Sequence, residues 1–551
     1  MTKVSGATLI AQHLKAQGVD YMFGIVGFPV VGVAAAAQRA GITFIGMRNE
    51  QSASYAAQAA GYLTGRPQAC LTVSGPGVIH ALAGLANAEK NCWPMVLLGG
   101  ASPTYQDGMG AFQEERQVEL AKPYCKYAQG IEQVARIPYY VEQAVRTSFY
   151  GRPGPVYLDI PDDVIRGQIE DSDVPPAHRV PDPPRSFADP AAVEAALTVL
   201  ESAERPLVIT GKGMAWSRAE QEVREFIERT QLPFLASPMG KGILPDDHAL
   251  SVGAARSTAL RDADVIFLMG ARLNWIMHFG LQPRFAKNVR IIQLDISPEE
   301  IGTNVATEGA LVGDGKAIVG QLNRALDNRQ WFYPADTAWR STLRTKAAEN
   351  LKAVQPMIDD DAAPTNYYRA YRDIAEWLPK DAIIIGEGAN TMDIGRTQMP
   401  NRAPRERLDA GTYGTMGIGL GFAIAAAVVH PKRPVVAVQG DSAFGFSGME
   451  IETALRYRLP IKIVVLNNGG IGGGIGELPK DRPVPPSILT YGARYDRMME
   501  GLGGRGFFVK DPKELRGALD EALGFDGPAL VNVLLNPQAG RKPQEFGWLT
   551  T

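Results

Sequence analysis

Residues 435–443 read VVAVQGDSA, and residues 461–470 read IKIVVLNNGG. Each segment begins as an apolar run of strand length and ends in small and polar residues that are typical of a turn. A helical pattern lies between them. Strand, turn, helix and strand in this order predict two parallel, neighbouring strands. The carboxyl ends of such strands lie at one edge of the sheet, where open α/β sheets bind their ligands.

Polar residues follow both predicted strands, with Asp441 after the first and Asn468 after the second. Mg²⁺ accepts carboxylate, amide and carbonyl oxygens and leaves its other positions to phosphate oxygens. We therefore predict a magnesium–diphosphate site, with the Gly470 carbonyl as a further ligand. Three flanking residues suit a phosphate that approaches a helix start: Gly440, Ser442 and Ala443. Either segment alone is more often a simple turn, but their pairing favours the site.

The bulk composition limits the kinds of partner. A chain of 551 residues is too long for one hydrophobic core and predicts about three domains. Its formal net charge of −3 gives no reason to expect nucleic acid. The apolar runs are too short to span a membrane, and the N-terminal residues show no signal-peptide pattern. The three cysteines form no C-x-x-C pair. We expect a cytoplasmic enzyme.

Hydrophobic periodicity predicts an α/β protein with three doubly wound parallel-sheet domains, the first and third similar. The predicted domains cover residues 1–170, 191–330 and 366–535, and residues 536–551 form a C-terminal lid. A Pro- and Asp-rich linker joins the first two domains. The predicted strands are Tyr21–Val26, Thr43–Met47, Ala69–Val73, Met95–Gly99, Val156–Ile160, Pro206–Thr210, Val265–Gly270, Arg290–Asp295, Ala382–Gly386, Val435–Gly440, Ile461–Asn467 and Ala529–Leu535.

The paired G-D-S and N-N segments resemble those of the thiamine-diphosphate enzymes, in which a pyrimidine-binding and a diphosphate-binding domain flank a middle domain. The resemblance implies thiamine diphosphate and Mg²⁺ as cofactors. It also implies a first-domain glutamate that holds the aminopyrimidine ring of a cofactor in a neighbouring subunit. Glu50 follows a predicted strand at that place, and the alanines of its helix would suit a protonated carboxyl. Taken alone, Glu50 would be an acid favoured by the helix dipole.

The resemblance extends to residues that would shape the cofactor. Residues 414–417 read GTMG; Met416 would wedge between the two rings, and the Gly414 carbonyl would meet the exocyclic amine. Without the resemblance, Met416 would be interpreted as a residue that packs in the hydrophobic core. Further implied cofactor contacts are Gly388, Asn390, Thr391 and Ile471. Because the glutamate and the clamp would come from different subunits, the resemblance implies a homo-oligomer with a dimer as the minimum, and we expect a tetramer.

Longer segments resemble one branch of this superfamily, the 2-hydroxyacyl-CoA lyases and oxalyl-CoA decarboxylases. They are residues 74–80 (SGPGVIH), 91–94 (NCWP), 110–114 (GAFQE), 387–393 (EGANTMD) and 440–450 (GDSAFGFSGME). The decarboxylases carry Tyr-Glu where this chain has Phe112-Gln113, which favours a lyase. The implied reaction reversibly cleaves the C1–C2 bond of a 2-hydroxyacyl-CoA to formyl-CoA plus a ketone or aldehyde.

This reaction needs a base for the substrate hydroxyl and donors for a developing oxyanion. Gln113 and His80 are candidates for orienting the substrate and hydrogen-bonding to it. Each could equally be a structural polar residue whose hydrogen bonds are satisfied within the protein. Glu477 is the first ionisable residue beyond the glycine-rich loop 469–476, and it is the candidate base.

The substrate pocket would include Val26 and Phe112. After Asn468 the family usually has an Ile-Tyr pair, and Gly472 stands in place of that tyrosine. The lost ring leaves space, which favours a branched substrate such as 2-hydroxyisobutyryl-CoA. The alternative is that the glycines only make a mobile loop.

Members of this branch bind ADP or the CoA nucleotide in the middle domain, so ADP is a further implied ligand beside the acyl-CoA substrate. Residues 210–213 (TGKG) follow a predicted strand but make only a weak dinucleotide motif. Asp295, which ends a strand, would take a ribose hydroxyl. The implied nucleotide contacts are Arg152, Lys212, Arg272, Asp295, Asp314 and, in the C-terminal tail, Arg541; each is otherwise an ordinary surface charge.

A lyase and three alternatives compete at this point. A lyase is favoured over an oxalyl-CoA decarboxylase and over a flavin-containing carboligase of the acetohydroxyacid synthase kind. A non-catalytic binding protein would need an impaired clamp, whereas Glu50, Asp441 and Asn468 are all present. Fold analogy alone does not decide among them.

Overall fold

A computed structural model describes residues 3–176 and 178–542 of the chain. Three parallel sheets of six, five and six strands, each accompanied by helices, make up its framework. The α/β class with three doubly wound sheets is thereby confirmed. Within the described ranges no helix combines the length and the apolar character needed to cross a membrane.

The first domain contains a six-stranded sheet and a small strand pair. Its strands are β1 (Lys3–Ser5), β2 (Tyr21–Gly24), β3 (Thr43–Gly46), β4 (Gln68–Thr72), β5 (Met95–Ala101), β6 (Tyr127–Gly130), β7 (Pro155–Pro161) and β8 (Gln168–Glu170). Its helices are α1 (Gly6–Ala16), α2 (Val31–Arg39), α3 (Glu50–Thr64), α4 (Pro76–Asn91), α5 (Gln117–Ala121), α6 (Ile137–Phe149) and α7 (Asp162–Arg166). The sheet is parallel in the order β3-β2-β4-β5-β7-β6, whereas β1 and β8 pair antiparallel.

The middle domain is built on a five-stranded sheet. Its strands are β9 (Pro206–Thr210), β10 (Phe234–Ala236), β11 (Val265–Met269), β12 (Arg290–Asp295) and β13 (Gly309–Val312). The helices from here to the third domain are α8 (Pro190–Glu201), α9 (Lys212–Trp216), α10 (Glu220–Thr230), α11 (Arg256–Asp262), α12 (Gly315–Ala325) and α13 (Ala338–Ile358). The strand order is β10-β9-β11-β12-β13, all parallel.

The third domain repeats the architecture of the first. Its strands are β14 (Ile383–Glu387), β15 (Arg407–Asp409), β16 (Val435–Gly440), β17 (Lys462–Asn467), β18 (Arg505–Val509) and β19 (Ala529–Leu534). Its helices are α14 (Tyr367–Trp377), α15 (Ala389–Gln398), α16 (Gly419–Val429), α17 (Asp441–Ser447), α18 (Glu450–Arg456), α19 (Tyr495–Gly501) and α20 (Pro512–Gly524). The order β15-β14-β16-β17-β19-β18 is the first sheet's order strand for strand, so the two outer sheets share one topology.

Every strand predicted from the sequence is present, with bounds shifted by up to two residues, as where β2 ends at Gly24. The strands of the three sheets that the sequence did not predict are β6, β10, β13, β15 and β18. All of them lie at sheet edges. An edge strand has a neighbour on one side only, so it does not need the continuous apolar run that identifies a central strand.

The first and third domains pack directly on one another within the chain. Helices α3 and α16 approach so closely that a Cβ at Gly421 would lie 2.7 Å from the Ser52 carbonyl oxygen. The Gly46 N–H donates to the Tyr457 hydroxyl at 2.8 Å. The Arg48 N–H donates to the Glu450 carboxylate at 3.1 Å. The third domain therefore holds the helix that begins with Glu50.

Candidate active site

The carboxyl ends of the neighbouring strands β16 and β17 bring Asp441 and Asn468 onto adjacent loops. Asp441 Oδ2 accepts from the Gly469 N–H at 2.8 Å, and Asp441 Oδ1 accepts from the Ser442 N–H at 2.9 Å. Asn468 Oδ1 accepts from the Gly470 N–H at 3.2 Å. The residues predicted as metal ligands therefore meet at the edge where the strand pattern predicted them.

The environment of Asp441 fits a divalent cation. The residue is 2% exposed, and burial raises the pKa of its carboxyl to about 6. Backbone N–H groups donate to it, and no Lys or Arg of the described residues forms an ion pair with it. The described ranges contain no group of three His, Cys, Asp or Glu that could hold a metal. One carboxylate, one amide and one loop carbonyl instead suit Mg²⁺.

The loop after β14 closes the other side of this edge. Gly388 has φ +99°, and a Cβ there would lie 3.2 Å from the Gly440 nitrogen, so the two backbones need glycine to approach this closely. The Asn390 Nδ2 donates to the Gly472 carbonyl at 2.8 Å. Thr391 is buried beside Gly440. These residues, which the resemblance implied, form a narrow backbone cradle suited to phosphate.

The loop that contains Gly414 and Met416 is held by Glu387, a residue that the sequence analysis did not assign. The Glu387 carboxylate accepts from the backbone N–H groups of Gly417, Ile418 and Gly419 and from Gln439 Nε2. Burial raises the pKa of Glu387 to about 7, against these hydrogen bonds, which favour the ionised form. Glu387 therefore fixes the loop at the start of α16.

Two features of this loop fit its predicted role. Met416 is half-buried and is not part of the core, which leaves part of its side chain free to contact a ligand. Gly414 has φ +69°, and open space surrounds its Cβ position.

Glu387 could have been identified from its position in the sequence, since it ends a strand at the same edge of the sheet as Asp441.

The first domain carries a second polar cluster at the equivalent edge of its sheet. Glu50 begins α3 just beyond β3, and its Oε2 lies 3.2 Å from Nδ1 of His80, which is on α4. A Cβ at Gly77 would lie 3.5 Å from Glu50 Oε1. The alanines of α3 are buried in the core, while the carboxylate itself faces the first turns of α4. Two predicted catalytic residues are therefore in contact.

The loop after β5 brings Gln113 to the same edge. Its backbone has φ +57° and its carbonyl accepts from Ser74 Oγ at 2.7 Å. The Gln113 side-chain oxygen Oε1 is buried and has no hydrogen-bond partner among the residues that the structure describes. Phe112 is exposed and packs edge-on against Phe28, with ring centroids 5.8 Å apart. Val26 is also exposed, beyond the end of β2.

The two clusters occupy corresponding edges of two equivalent sheets. The first follows strands β2 to β5, and the second follows strands β14 to β17. The contact between Glu50 and His80 lies within the first domain, and the contacts of Asp441 and Asn468 lie within the third. Within one chain, each half of the predicted site is assembled separately. No contact among the described residues joins Glu50 to Asp441 or Asn468.

The loop after Asn468 is open at Gly472. Gly472 has φ +81°, and apart from its two chain neighbours no described residue has an atom within 4 Å of a Cβ built there. Its carbonyl accepts from Asn390 Nδ2 and, at 3.4 Å, from Asn468 Nδ2. Ile471 is exposed, and its N–H donates to the Ser487 carbonyl at 2.8 Å. Glu477 is exposed on the same loop, and its role stays a prediction.

A cavity lies where the middle domain faces the first domain. Beside Asn91, Cys92 and Trp93 of the first domain, it is lined by glycines at the carboxyl ends of β9 and β11. A Cβ at Gly213 would lie 2.9 Å from the Gly270 carbonyl oxygen, so the lining is tight at this point and favours glycine. The lining includes five of the six residues that the resemblance assigned to the nucleotide: Arg152, Lys212, Arg272, Asp295 and Asp314.

Lys212 differs from Arg152 and Asp314 in this cavity because no acidic partner pairs with it among the described residues. Arg152 bridges Asp295 and Glu300, with 2.9 Å to each. Asp314 is paired with an arginine of the linker at 2.6 Å. Lys212 Nζ instead donates to Asn91 Oδ1 at 3.2 Å, and burial lowers the pKa of its amine to about 7. Within the described ranges no carboxylate forms an ion pair with it, so a phosphate would supply the missing charge.

The sixth predicted nucleotide residue lies elsewhere. Arg541 forms an ion pair with Asp393 on α15 of the third domain and is not part of the cavity lining. Arg272 is in the lining, but its guanidinium also donates to the Lys90 carbonyl at 2.5 Å. Of the predicted lid, residues 543–551 lie outside the described residues.

The chain matches three family descriptions in the order of its three sheets. Residues 4–120 match the thiamine pyrophosphate enzyme N-terminal TPP binding domain, residues 193–322 the central domain, and residues 388–533 the C-terminal TPP binding domain. Glu50 lies within the first matched range, and Asp441 and Asn468 lie within the third.

Full-length relatives narrow the family. The chain is 50% identical to 2-hydroxyacyl-CoA lyase 1 of Homo sapiens, with 100% of this chain and 97% of the relative covered. It is 44% identical to 2-hydroxyacyl-CoA lyase of Arabidopsis thaliana (98% and 96% covered) and 42% identical to oxalyl-CoA decarboxylase of Escherichia coli (97% and 95% covered). The chain therefore belongs to the thiamine pyrophosphate enzyme family, in the branch of the 2-hydroxyacyl-CoA lyases.

Proposed function

We propose that the protein uses thiamine diphosphate and Mg²⁺ to cleave, reversibly, the C1–C2 bond of a 2-hydroxyacyl-CoA, giving formyl-CoA plus a ketone or aldehyde. The observation that carries this proposal is a pair of ionisable groups, each enclosed at a predicted ligand site, that form no ion pair among the described residues. Asp441 accepts only from N–H groups at the diphosphate edge, and Lys212 donates only to Asn91 in the middle-domain cavity, so a cation would suit the first and an anion the second. A magnesium–diphosphate cofactor and the phosphates of a CoA ester supply both.

Each part of the cofactor has a set of residues that fits it. Asp441, Asn468 and the Gly470 carbonyl would hold the magnesium, and the cradle of Gly388 and Gly440 would receive the diphosphate. Glu50 would hold the aminopyrimidine ring, with His80 orienting its carboxyl group. When bound, the cofactor supplies a nucleophilic carbon and an electron sink; the protein supplies binding, orientation and proton transfer.

The substrate hydroxyl and carbonyl would meet polar groups of the first domain. The unpartnered Gln113 Oε1 is an acceptor for the hydroxyl proton, because a buried oxygen without a donor is costly until a ligand satisfies it. His80 is exposed beside Glu50 and would donate to a developing oxyanion. Glu477 remains our candidate for the base. A Glu477→Gln variant with near-normal turnover would contradict that assignment.

The middle-domain cavity would take the nucleotide of CoA or ADP. Lys212 and Arg272 would face phosphate, and Asp295, which ends β12, would accept from a ribose hydroxyl. Arg152 already holds Asp295, so the arginine would orient this acid and contact the nucleotide with its remaining donors. Arg541 would contact the CoA chain only if it left Asp393.

The open loop at Gly472 supports a branched substrate, 2-hydroxyisobutyryl-CoA, within this class. No side chain of the described residues fills the space around its Cβ position, so a tertiary alcohol would meet less steric resistance than with the family's tyrosine. The two halves of the site further require that Glu50 of one copy faces Asp441 of another. We therefore propose a homodimer as the smallest active unit and a tetramer as the expected assembly.

Product analysis tests the reaction. The purified protein with thiamine diphosphate and Mg²⁺ is incubated with 2-hydroxyisobutyryl-CoA, a linear 2-hydroxyacyl-CoA and oxalyl-CoA. We expect formyl-CoA with acetone from the first, formyl-CoA with an aldehyde from the second, and no CO₂ from the third. Release of CO₂ from oxalyl-CoA at the highest rate would favour a decarboxylase, and a bound flavin spectrum would favour a carboligase.

A substitution at Gly472 tests the substrate preference. We expect Gly472→Tyr to lower the ratio of branched to linear kcat/KM by about tenfold, as filling a pocket does. The positive φ at this position strains any side chain. Gly472→Asn is the matched control, because asparagine tolerates this backbone and adds little bulk. An unchanged ratio in Gly472→Tyr would contradict the proposed substrate.

A further inference from the structure

A chain of three hydrogen bonds, buried at its centre, runs from the middle-domain cavity to the loop of Met416. Lys212 Nζ donates to Asn91 Oδ1 at 3.2 Å, and Asn91 Nδ2 donates to Asn87 Oδ1 at 3.0 Å. The same Asn87 oxygen accepts from Thr415 Oγ1 at 3.3 Å. Both asparagines are fully buried. They lie four residues apart on α4 and so share one face of that helix.

The asparagine pair also reaches the helix that begins with Glu50. Asn87 Nδ2 donates to Gln58 Oε1 at 3.3 Å, and Gln58 lies on α3. The Gln58 Nε2 donates in turn to the Gly84 carbonyl at 3.1 Å. Asn87 is therefore the junction of three elements: the cavity through Asn91, the cofactor loop through Thr415, and α3 through Gln58.

The charge of Lys212 fixes the direction of every bond in the chain. A protonated amine can only donate, so Asn91 must turn its oxygen toward Lys212 and its NH₂ group toward Asn87. Asn87 must then present its oxygen, which is the acceptor that Thr415 uses. A neutral amine can also accept, which would allow Asn91 to turn around and offer its oxygen to Asn87. Two oxygens would then face each other, and the acceptor for Thr415 would be lost or displaced.

We propose that Asn87 and Asn91 are positioning residues that couple a phosphate-bearing nucleotide in the cavity to the placement of the Thr415–Met416 loop. A phosphate beside Lys212 keeps the amine protonated and so holds the chain in one orientation. This fixes Thr415 and the neighbouring Met416 in the place that the cofactor needs. The inference rests on the proposed function, which puts a nucleotide in the cavity and thiamine diphosphate at the loop.

The coupling has a sign and a size. If the nucleotide already fixes the loop, cofactor binding costs less conformational entropy. Nucleotide should therefore tighten cofactor binding, and cofactor should tighten nucleotide binding by the same coupling factor. Couplings of this kind range from about 5-fold to about 150-fold. We expect at least about fivefold in the wild-type protein.

Calorimetric titration tests the coupling. The dissociation constant of thiamine diphosphate is measured in saturating Mg²⁺ with and without ADP as the nucleotide probe, and that of ADP with and without the cofactor. Asn91→Leu removes the middle member of the hydrogen-bond chain and replaces it with a side chain of similar volume. Thr415→Val removes only the hydroxyl at the end of the hydrogen-bond chain. Thr415→Ser restores a hydroxyl. Ser148→Ala is a control, since this buried serine of the first domain bonds to backbone carbonyls away from the chain.

We expect the coupling factor to fall toward one in Asn91→Leu and Thr415→Val, while each ligand still binds alone. It should persist in Thr415→Ser and Ser148→Ala. A variant that merely loosened the fold would weaken each ligand alone and leave the factor unchanged. If Asn91→Leu does not fold, the comparison of Thr415→Val with Thr415→Ser decides the question.

Two results would overturn the proposal and can be told apart. If wild-type protein binds both ligands with a factor of one, or if Thr415→Val keeps the full factor, the coupling is wrong and the proposed function stands. If wild-type protein does not bind ADP at all, the nucleotide part of the proposed function fails first, and the coupling fails with it.

Discussion

His80 Nδ1 lies 3.2 Å from Glu50 Oε2, across the gap between the first turns of α4 and α3. The contact joins a residue that the resemblance made catalytic to one that the sequence left open between a catalytic and a structural role. The imidazole is exposed while the carboxylate is largely covered. His80 can therefore reach a ligand and orient Glu50 at the same time.

Glu50→Gln should lower kcat by about 10²- to 10⁴-fold, the range of a lost acid–base group, because the amide cannot exchange a proton with the aminopyrimidine ring. The thermal unfolding midpoint should change little. Steady-state kinetics at saturating cofactor provide the measurement. Glu89→Gln, which removes a carboxylate from the far end of α4, is the control and should keep wild-type turnover. Comparable turnover in the two variants would refute the role of Glu50.

Mixing two inactive variants should restore activity if each site uses two chains. Glu50→Gln and Asp441→Ala each lack one half of the site. After co-refolding or co-expression in equal amounts, mixed dimers contain one intact site, so about a quarter of wild-type activity should return. Each variant alone is the control. Activity that stays at the level of the separate variants would show that Glu50 and Asp441 act within one chain.

Glu387→Ala should destabilise the third domain and loosen the Met416 loop. Three backbone N–H groups would lose their acceptor, and each unsatisfied buried group costs about 1–3 kcal/mol. We expect a lower thermal unfolding midpoint and weaker thiamine diphosphate binding. Glu406→Ala is the matched control, because this buried carboxylate accepts from the Arg402 and Ala403 N–H groups of a different loop. Equal cofactor affinity in the two variants would contradict the prediction.

Nucleotide binding should weaken as the pH rises through about 7. Burial lowers the pKa of Lys212 to about 7, so the empty protein loses this proton well below the usual pH for lysine. A bound phosphate favours the charged amine, so binding takes up a proton above about pH 7. The other titratable or charged groups that act on the amine are Cys92, Arg152, Arg272 and Asp409.

The proton uptake can be measured by titrating ADP in buffers of different ionisation enthalpy. Lys212→Met is the control for protonation of the phosphate itself. The same sign applies to stability: between about pH 7 and the usual lysine range, the unfolded chain binds more protons than the folded one. The contribution of Lys212 to the free energy of unfolding therefore rises with pH across this window. No difference in proton uptake between the two proteins would contradict the assignment.

The central strands could be predicted from the sequence because their side chains are covered on both faces. The predicted strand Ile461–Asn467 differs by one residue from β17, which is buried throughout. The edge strand β18 escaped prediction because most of its residues are only partly covered. Its run RGFFV contains a charge and a glycine where a central strand would be apolar.

The candidate site was predictable where a residue follows a strand directly, as Asp441 does, or begins the next helix, as Glu50 does. Asn87 and Asn91 were not assigned, because their partners lie more than 100 residues away in sequence along two of the three bonds. Their own spacing was the available signal, since two buried amides four residues apart interrupt an otherwise apolar helix face. Glu387 carried a stronger signal, at the end of a strand next to that of Asp441.

The lone amine of Lys212 also bears on how long the protein survives in a cell. Burying an ammonium group without a counter-ion weakens the empty protein, and a bound phosphate removes that weakness. The empty form should therefore open more often and be degraded faster by proteases than the occupied form. A supply of nucleotide would then lengthen the lifetime of the protein as well as tighten its cofactor binding.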